Sequence, residues 1–295
     1  LNTLVKNLHS IDIPLSLTTA EMNSNGILVD IKSLKKKSRD MKKKIGMIEK
    51  SIYSDVGHEF NIASSRQLAD VLFNELQLPA EKKTKTGFST GEDVLNKLIG
   101  THPCIEKILQ YREITKLKST YIDPLTEYAE SSEDSRVHST FNQLGTSTGR
   151  LSSKNPNLQN IPTRSEMGKE VRDMFVAPKG KRLVSVDYSQ IELRIMASLS
   201  NDESMLDDFG NSHDFHTATA IRLLGKKVGK VSKNDRRTAK IINFGVLYGM
   251  SPFGLSKALD IDRDKAKEYI DTYFEKYSGV RDYMEETLKL ARENG

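Results

Sequence analysis

Apolar residues recur at helical spacing over two long stretches of this chain, and between them that spacing disappears. In residues 31–53, Ile31, Leu34, Ser38, Met41, Ile45, Ile48 and Ile52 fall on one face of a predicted long helix. Ser64-Ser65-Arg66-Gln67 reads as a helix start, followed by Leu68, Val71, Leu72 and Leu76 on a shared face. Another helix is predicted over 103–119. From 190 onward the pattern is mostly helical, over 190–200, 214–224, 233–250, 251–259, 263–276 and 279–294. The centre is different. Residues 136–164 are rich in Asn, Gln, Ser, Thr and Gly, contain Pro156 and Pro162, and show little helical period. Leu183-Val184-Ser185-Val186 reads as a buried strand that ends at Asp187. Residues 11–30 alternate apolar and polar up to a turn at Asn25-Gly26, before Ile27-Leu28-Val29. The polar stretches 79–91 and 131–136 are expected to be breaks, with a domain edge near the second. The pattern predicts two helical thirds around a smaller β-containing centre.

Composition narrows the class. No apolar run approaches the roughly 18 residues of a membrane span, so a membrane span is excluded, and no membrane partner is expected. One cysteine, Cys104, excludes a disulfide scaffold and a Cys-based zinc site, and fits a reducing compartment. The chain starts at Leu1 with no initiator Met or leader pattern, as if cut from a longer sequence. The net charge is +5, but residues 31–50 alone carry nine Lys/Arg against Asp40 and Glu49. Such a concentration suits a polyanion, although a solvated helix face has the same composition.

Three blocks carry chemistry. In the first, Asp187 follows an apolar strand and precedes a helix, so its carboxylate either serves a hard cation such as Mg²⁺ or merely caps the helix from 190. In the second, Arg236, Lys240, Phe244 and Tyr248 recur every four residues, which places them on one broad helix face. Two cations near a helix N-terminus attract a triphosphate, and aromatics further along can stack on bases. A core aromatic stripe with a solvated basic end would give the same spacing. In the third, Thr148-Gly149-Arg150-Leu151-Ser152-Ser153 and Asn155-Pro156-Asn157-Leu158-Gln159-Asn160-Ile161-Pro162 offer forked donors for phosphate, sugar and base edges, or form an ordinary polar loop.

In this order the three blocks resemble the family A DNA polymerases, the bacterial DNA polymerase I type. Asp187 to Arg194 (DYSQIELR) is similar to motif A, and Arg236 to Gly249 (RRTAKIINFGVLYG) to motif B, the O helix. TGRLSS and PNLQNIP resemble the palm segment before motif A, and residues 102–125 resemble part of the thumb. The resemblance implies an α+β right-hand fold with a helical thumb, a partial antiparallel palm sheet and helical fingers. Residues 1–30 would be a palm segment, 31–130 the thumb, 131–191 the palm core and 192–295 the fingers. It implies template-directed transfer from a dNTP to a primer 3′-OH, in replication and repair. Asp187, Lys240 and Arg236 would be catalytic, and Asp187 with the Tyr188 carbonyl would bind Mg²⁺ in a two-metal site. Tyr188, Gln190, Ile191, Glu192, His216, Arg236, Lys240, Phe244 and Tyr248 would bind the nucleotide, with Glu192 excluding the ribose 2′-OH. Arg150, Asn157, Gln159, Asn160, Lys116, Lys118 and Ser119 would contact primer–template DNA. A monomer in the bacterial cytoplasm, near the nucleoid, is implied, with an organellar origin left open.

The pattern departs in one place. A two-metal transferase needs a further carboxylate, which this family carries on a His-Asp-Glu hairpin, motif C. Nothing after Gly249 matches it, and Glu285-Glu286 lies in a helical run. The chain is therefore expected to be a C-terminally truncated polymerase domain with an incomplete palm, inactive alone. Two other readings remain: a non-catalytic nucleic-acid binding module, and a phage-type RNA polymerase, against which Glu192 speaks. His213 and His216 form an HxxH that zinc could use, though without further ligands nearby.

Overall fold

The computed structural model describes all residues except Leu1, Glu81, Lys82, Lys85, Thr86, Arg164, Ser165, Ser212, His213 and Gly295. The chain divides into two compact units, Leu1–Val184 and Ser185–Gly295. Each has its own apolar core.

The first unit opens with α1 (Asn2–Asn7) and α2 (Ile13–Asn25), followed by β1 (Ile27–Leu28) and the long α3 (Ile31–Val56). Asp30 caps α3 by accepting from the Ser33 amide at 3.0 Å, which satisfies one of the orphan donors at a helix start. Leu34, Met41, Ile48 and Ile52 are buried along its inner face, as their spacing predicts. Ser38 turns its hydroxyl to Asp123 at 2.8 Å. Then come α4 (Ser65–Asp70), the short strands β2 (Lys83–Thr84) and β3 (Gly87–Phe88), and α5 (Glu92–Lys97). The α6 helix (Pro103–Leu117) and α7 (Asp123–Ser131) pack on α3, and β4 (Arg136–Val137), β5 (Thr140–Asn142), β6 (Ser152–Lys154) and α8 (Glu166–Arg172) complete the unit. Ser64 caps α4, as predicted.

The β content consists of antiparallel pairs: β1 with β4, β2 with β3, and β5 with β6. On the other side of β1, Val29 bridges Phe175, and Val176 donates to the Leu28 carbonyl at 3.0 Å. Gly26 makes the entry to β1 possible. Its φ is +55°, and a Cβ there would sit 2.8 Å from the His138 ring, so both backbone conformation and space require glycine.

The second unit is helical: α9 (Ile191–Ser200), α10 (Glu203–Asn211), α11 (Phe215–Leu224), α12 (Lys233–Leu247), α13 (Pro252–Leu259), α14 (Arg263–Lys276) and α15 (Ser278–Asn294). Its core holds Leu193, Phe215, Ile242, Val246, Leu255, Tyr273 and Tyr277. Two buried carboxylates tie the helices together. Asp208 takes both Nε and Nη2 of Arg222 at 2.7 Å and the Tyr277 hydroxyl at 2.8 Å. Asp202 accepts from the amides of Met205 and Gly279, each at 2.8 Å, joining the starts of α10 and α15.

Four sequence expectations are corrected. Residues 183–186 are not a buried strand: the segment from 181 to 188 has no regular structure, and Val184 and Val186 are more than four-fifths exposed. A strand needs a ladder neighbour for its backbone donors and acceptors, and none lies beside this segment among the described residues. The alternating stretch 11–30 is helical over Ile13–Asn25, with Pro14 in the first turn, where its missing N–H costs nothing. A period of two decides for strand only where a sheet face buries it, and here Leu17 and Met22 are exposed. The polar stretch 79–91 holds the β2–β3 pair, and α10 lies where no helix is predicted.

Candidate nucleotide site

The site grows from the start of α12. Ser232 and Asp235 form a reciprocal capping box: the Ser232 hydroxyl accepts from the Asp235 amide at 3.1 Å, and Asp235 accepts from the Ser232 amide at 3.0 Å. This anchors the register of the helix. Ala239, Ile242, Asn243 and Val246 are buried on one side. Arg236, Lys240 and Tyr248 are exposed and Phe244 is half-buried, so the four-residue spacing does produce one accessible face. The rings of Phe244 and Tyr248 lie 6.3 Å apart and nearly parallel, at 14°. The His216 ring lies 5.7 Å from Phe244.

Two residues of the 187–194 block lie close to this face. The Tyr248 hydroxyl donates to Glu192 Oε1 at 2.9 Å, across from α9. Gln190, the N-cap of α9, has a left-handed φ of 53°. Such a conformation costs a non-glycine residue about 1–3 kcal/mol and persists where the surroundings hold it. Here the side chain does so: Nε2 donates to Asp214 Oδ1 at 3.0 Å, and Oε1 accepts from the Phe215 amide at 3.2 Å. Ile191 and Tyr188 are exposed beside it.

The electrostatics are set by Asp214 and His216. Burial raises the Asp214 carboxyl, but hydrogen bonds from Arg236 and Thr217 and the Arg236 charge outweigh it and hold the pKa at about 2. Arg236 donates Nε at 2.7 Å and Nη2 at 2.9 Å to this carboxylate. His216 is buried, and burial, followed by the charges of Arg236 and Lys240, lowers it to about 4 despite the opposing pull of Asp214. It is therefore neutral at pH 7. Its Nδ1 lies 3.0 Å from Asn243 Nδ2, and Asn243 Oδ1 accepts from Thr219 at 3.1 Å. The amide donates to Nδ1, so Nε2 carries the ring proton.

This sets a pH dependence. His216 has a folded pKa below its ordinary 6.5, so the unfolded chain binds the extra proton first and stability falls as pH drops from about 6.5 to about 4. The loss over that window is at most about 3 kcal/mol. Asp214, held below its ordinary 3.8, adds a separate loss only as pH falls from about 3.8 to 2. Urea unfolding at pH 7, 5.5 and 4.5 should show the His216 loss in the wild type and its absence in His216→Gln. Parallel curves for the two proteins would refute the assignment.

The metal expectation fares differently. Asp187 is exposed, and the described residues contain no group of three or more His, Cys, Asp or Glu side chains that could hold an ion. One carboxylate and the Tyr188 carbonyl are hard oxygen donors that could hold part of an ion's coordination sphere, but among the described residues they do not complete a two-ion donor set. The zinc reading lies partly outside the described residues, because His213 is not among them. His216 is occupied by Asn243.

The predicted DNA-contact residues lie in the first unit. Lys116 and Asn160 line one cleft, where Tyr121 donates its hydroxyl to the Asn160 carbonyl. Lys118 is half-buried in an ion pair with Asp123 at 2.5 Å. Asn157 uses its Oδ1 locally, accepting from the Gln159 amide and the Ser153 hydroxyl, each at 3.0 Å. Arg150, Gln159, Asn160 and Ser119 are exposed. Sequence reasoning missed Asp214, Thr217, Thr219 and Asn243. The one available signal was Asn243, a polar residue at a core position of α12.

The DNA polymerase family A model matches residues 31–295. DNA polymerase I of Lactococcus lactis subsp. lactis (strain IL1403) is 46% identical over 289 residues, covering 98% of this chain and 33% of that protein. DNA polymerase I of Bacillus subtilis (strain 168) is 44% identical over 286 residues, covering 97% of this chain and 32% of its own length. Among solved structures, the POL domain of Pol1 from M. smegmatis, in complex with DNA primer-template and dNTP, is similar with a TM-score of 0.87 and 39% identity. That match covers 97% of this chain and 50% of the solved chain. The chain thus spans about a third of the length of the curated relatives it matches. With nine-tenths of its residues inside the family model, it belongs to DNA polymerase family A.

Proposed function

We propose that this chain supplies the nucleotide-binding fingers, the thumb and part of the palm of a template-directed DNA polymerase. The observation that carries the reading is the exposed face of α12, where Arg236, Lys240, Phe244 and Tyr248 line up beside His216 and Glu192. Arg236 and Lys240 bind the triphosphate of a dNTP and stabilise the charge that grows on the departing pyrophosphate. His216, neutral, offers an N–H rather than a further charge. Phe244 packs on the incoming nucleotide, and Tyr248 stacks toward the template. Residues 1–30 and 131–191 are read as palm, 31–130 as thumb and 192–295 as fingers. The exposed lysines of α3, with Arg150, Gln159 and Asn160, face primer–template DNA. Mg²⁺ is the cation proposed for Asp187 and the Tyr188 carbonyl, both hard oxygen donors; further donors must come from outside the described residues. A monomeric state and a cytoplasmic location belong to the same reading. Among the described residues, no helix is long and apolar enough to cross a membrane.

The test uses the Glu192–Tyr248 contact. In a chimera carrying residues 1–295 in place of the matching stretch of the L. lactis DNA polymerase I, Glu192→Ala should admit ribonucleotides. The Tyr248 hydroxyl holds the Glu192 carboxylate at 2.9 Å, and removing the carboxylate opens space beside the sugar C2′. Single-nucleotide incorporation with dNTP and rNTP should show discrimination falling at least about tenfold, the scale of one lost steric or polar contact. A chimera that does not extend a primer, or keeps its dNTP preference in the variant, would sink the reading.

A further inference from the structure

Three helix starts meet at one carboxylate. Asp214 is the N-cap of α11, and its backbone carbonyl accepts from the amides of Thr217 at 3.0 Å and Ala218 at 3.2 Å. Its side chain accepts from Gln190, the N-cap of α9, and from Arg236, in the first turns of α12. The Thr217 hydroxyl donates to it as well. Gln190 returns the contact by accepting from the Phe215 amide. The motif A helix and the motif B helix are thus joined through a residue that belongs to neither motif.

The geometry with Arg236 is one-sided. A guanidinium carries five N–H donors in a rigid fork. The contact with Asp214 takes the Nε/Nη2 edge, and among the described residues the Nη1 edge has no protein acceptor. The carboxylate spreads its charge over Arg236, Gln190 and Thr217, so it acts on a neighbouring anion less than a lone carboxylate would. A clamp that grips one edge and leaves the other for a ligand orients the fork; a competitor for the ligand would cover it.

We propose that Asp214 is a positioning residue for triphosphate binding: it fixes Arg236 by one edge and, through Gln190, keeps it in register with the helix that bears Glu192. The inference rests on the reading of Arg236 as a triphosphate ligand. It adds that the affinity of this site depends on a carboxylate that never touches the nucleotide.

The test is calorimetric titration of the 295-residue protein with inorganic tripolyphosphate and with dATP. Wild type, Asp214→Ala, Asp214→Asn, Arg236→Ala and the Asp214→Ala/Arg236→Ala double variant are compared, with thermal melting of each as the folding control. Asp214→Ala should weaken tripolyphosphate binding about tenfold, since misplacing a preorganised cation by a fraction of an ångström is costly. Asp214→Asn keeps an acceptor but not the charge, and should weaken binding less. The double variant should bind no worse than Arg236→Ala alone, because Asp214 acts only through Arg236. A role in stability alone would lower the melting temperature and give additive losses instead. If Asp214→Ala binds tripolyphosphate as tightly as wild type or more so, Asp214 is a competitor and the inference is overturned. If Arg236→Ala has no effect, the triphosphate reading falls first and the inference with it. Should Asp214→Ala fail to fold, Asp214→Asn decides: unchanged affinity there overturns the inference.

Discussion

Lys240→Ala is expected to lower dNTP incorporation by the L. lactis chimera about 10²- to 10³-fold in kcat/KM. That is the range seen when one preorganised group aimed at developing charge is removed from an active site. Lys240 sits one helical turn beyond Arg236 on the exposed face of α12, close enough to His216 for its charge to depress the imidazole. No acidic partner takes its ammonium among the described residues, whereas Arg236 is held by Asp214. The two cations therefore differ in kind. Arg236 is a fixed fork, and Lys240 is a compact charge on a flexible stem that, on the proposed reading, would follow the phosphate as the bond breaks. Lys240→Arg should recover only part of the loss. Pre-steady-state incorporation of a single nucleotide gives the comparison, and a loss under threefold in the alanine variant would remove Lys240 from the chemistry.

The second large effect concerns the sugar. Phe244 lies one turn beyond Lys240, with its ring flanked by those of His216 and Tyr248. Phenylalanine offers no polar group there, so on the proposed reading the site would depend on the substrate's own 3′-OH for polar contacts near the ribose. A dideoxynucleotide lacks that hydroxyl. Losing such a contact in a closed site costs about 1–3 kcal/mol, or roughly ten- to a hundred-fold in selectivity. In the same chimera, strong discrimination against ddNTPs is expected, and Phe244→Tyr should relax it with little change in dNTP use. The ratio of dNTP to ddNTP efficiencies, measured for both variants, decides. Equal ratios would mean that Phe244 does not face the ribose and that the proposed orientation of the α12 face is wrong.

Much of this site is local in origin, which is why it was legible. A four-residue repeat puts Arg236, Lys240, Phe244 and Tyr248 on one face because a helix turns about 100° per residue, and the helix forms there because Ser232 and Asp235 cap it. The same logic locates α3, whose buried Leu34, Met41, Ile48 and Ile52 follow the predicted face. Periodicity failed where burial depends on a distant neighbour. Residues 183–186 have strand composition, but a strand exists only as a pair, and nothing in its own residues specifies the partner. The alternation before Gly26 had the same weakness.

The polar connections were the least visible in the residues alone. Asp214, Asn243 and Thr219 are ordinary letters in helical text, and their roles depend on side chains 22 to 27 positions away in the chain. Helix formation is decided within a turn or two, by caps and spacing, so the chain's own residues settle which segments become helices and which side chains share a face. The meeting of three helix starts at one carboxylate, the burial that neutralises His216, and the hydroxyl that holds Glu192 arise only when those helices pack. Hydrogen-bond geometry and desolvation act over a few ångströms of space, regardless of how far apart the residues lie in sequence.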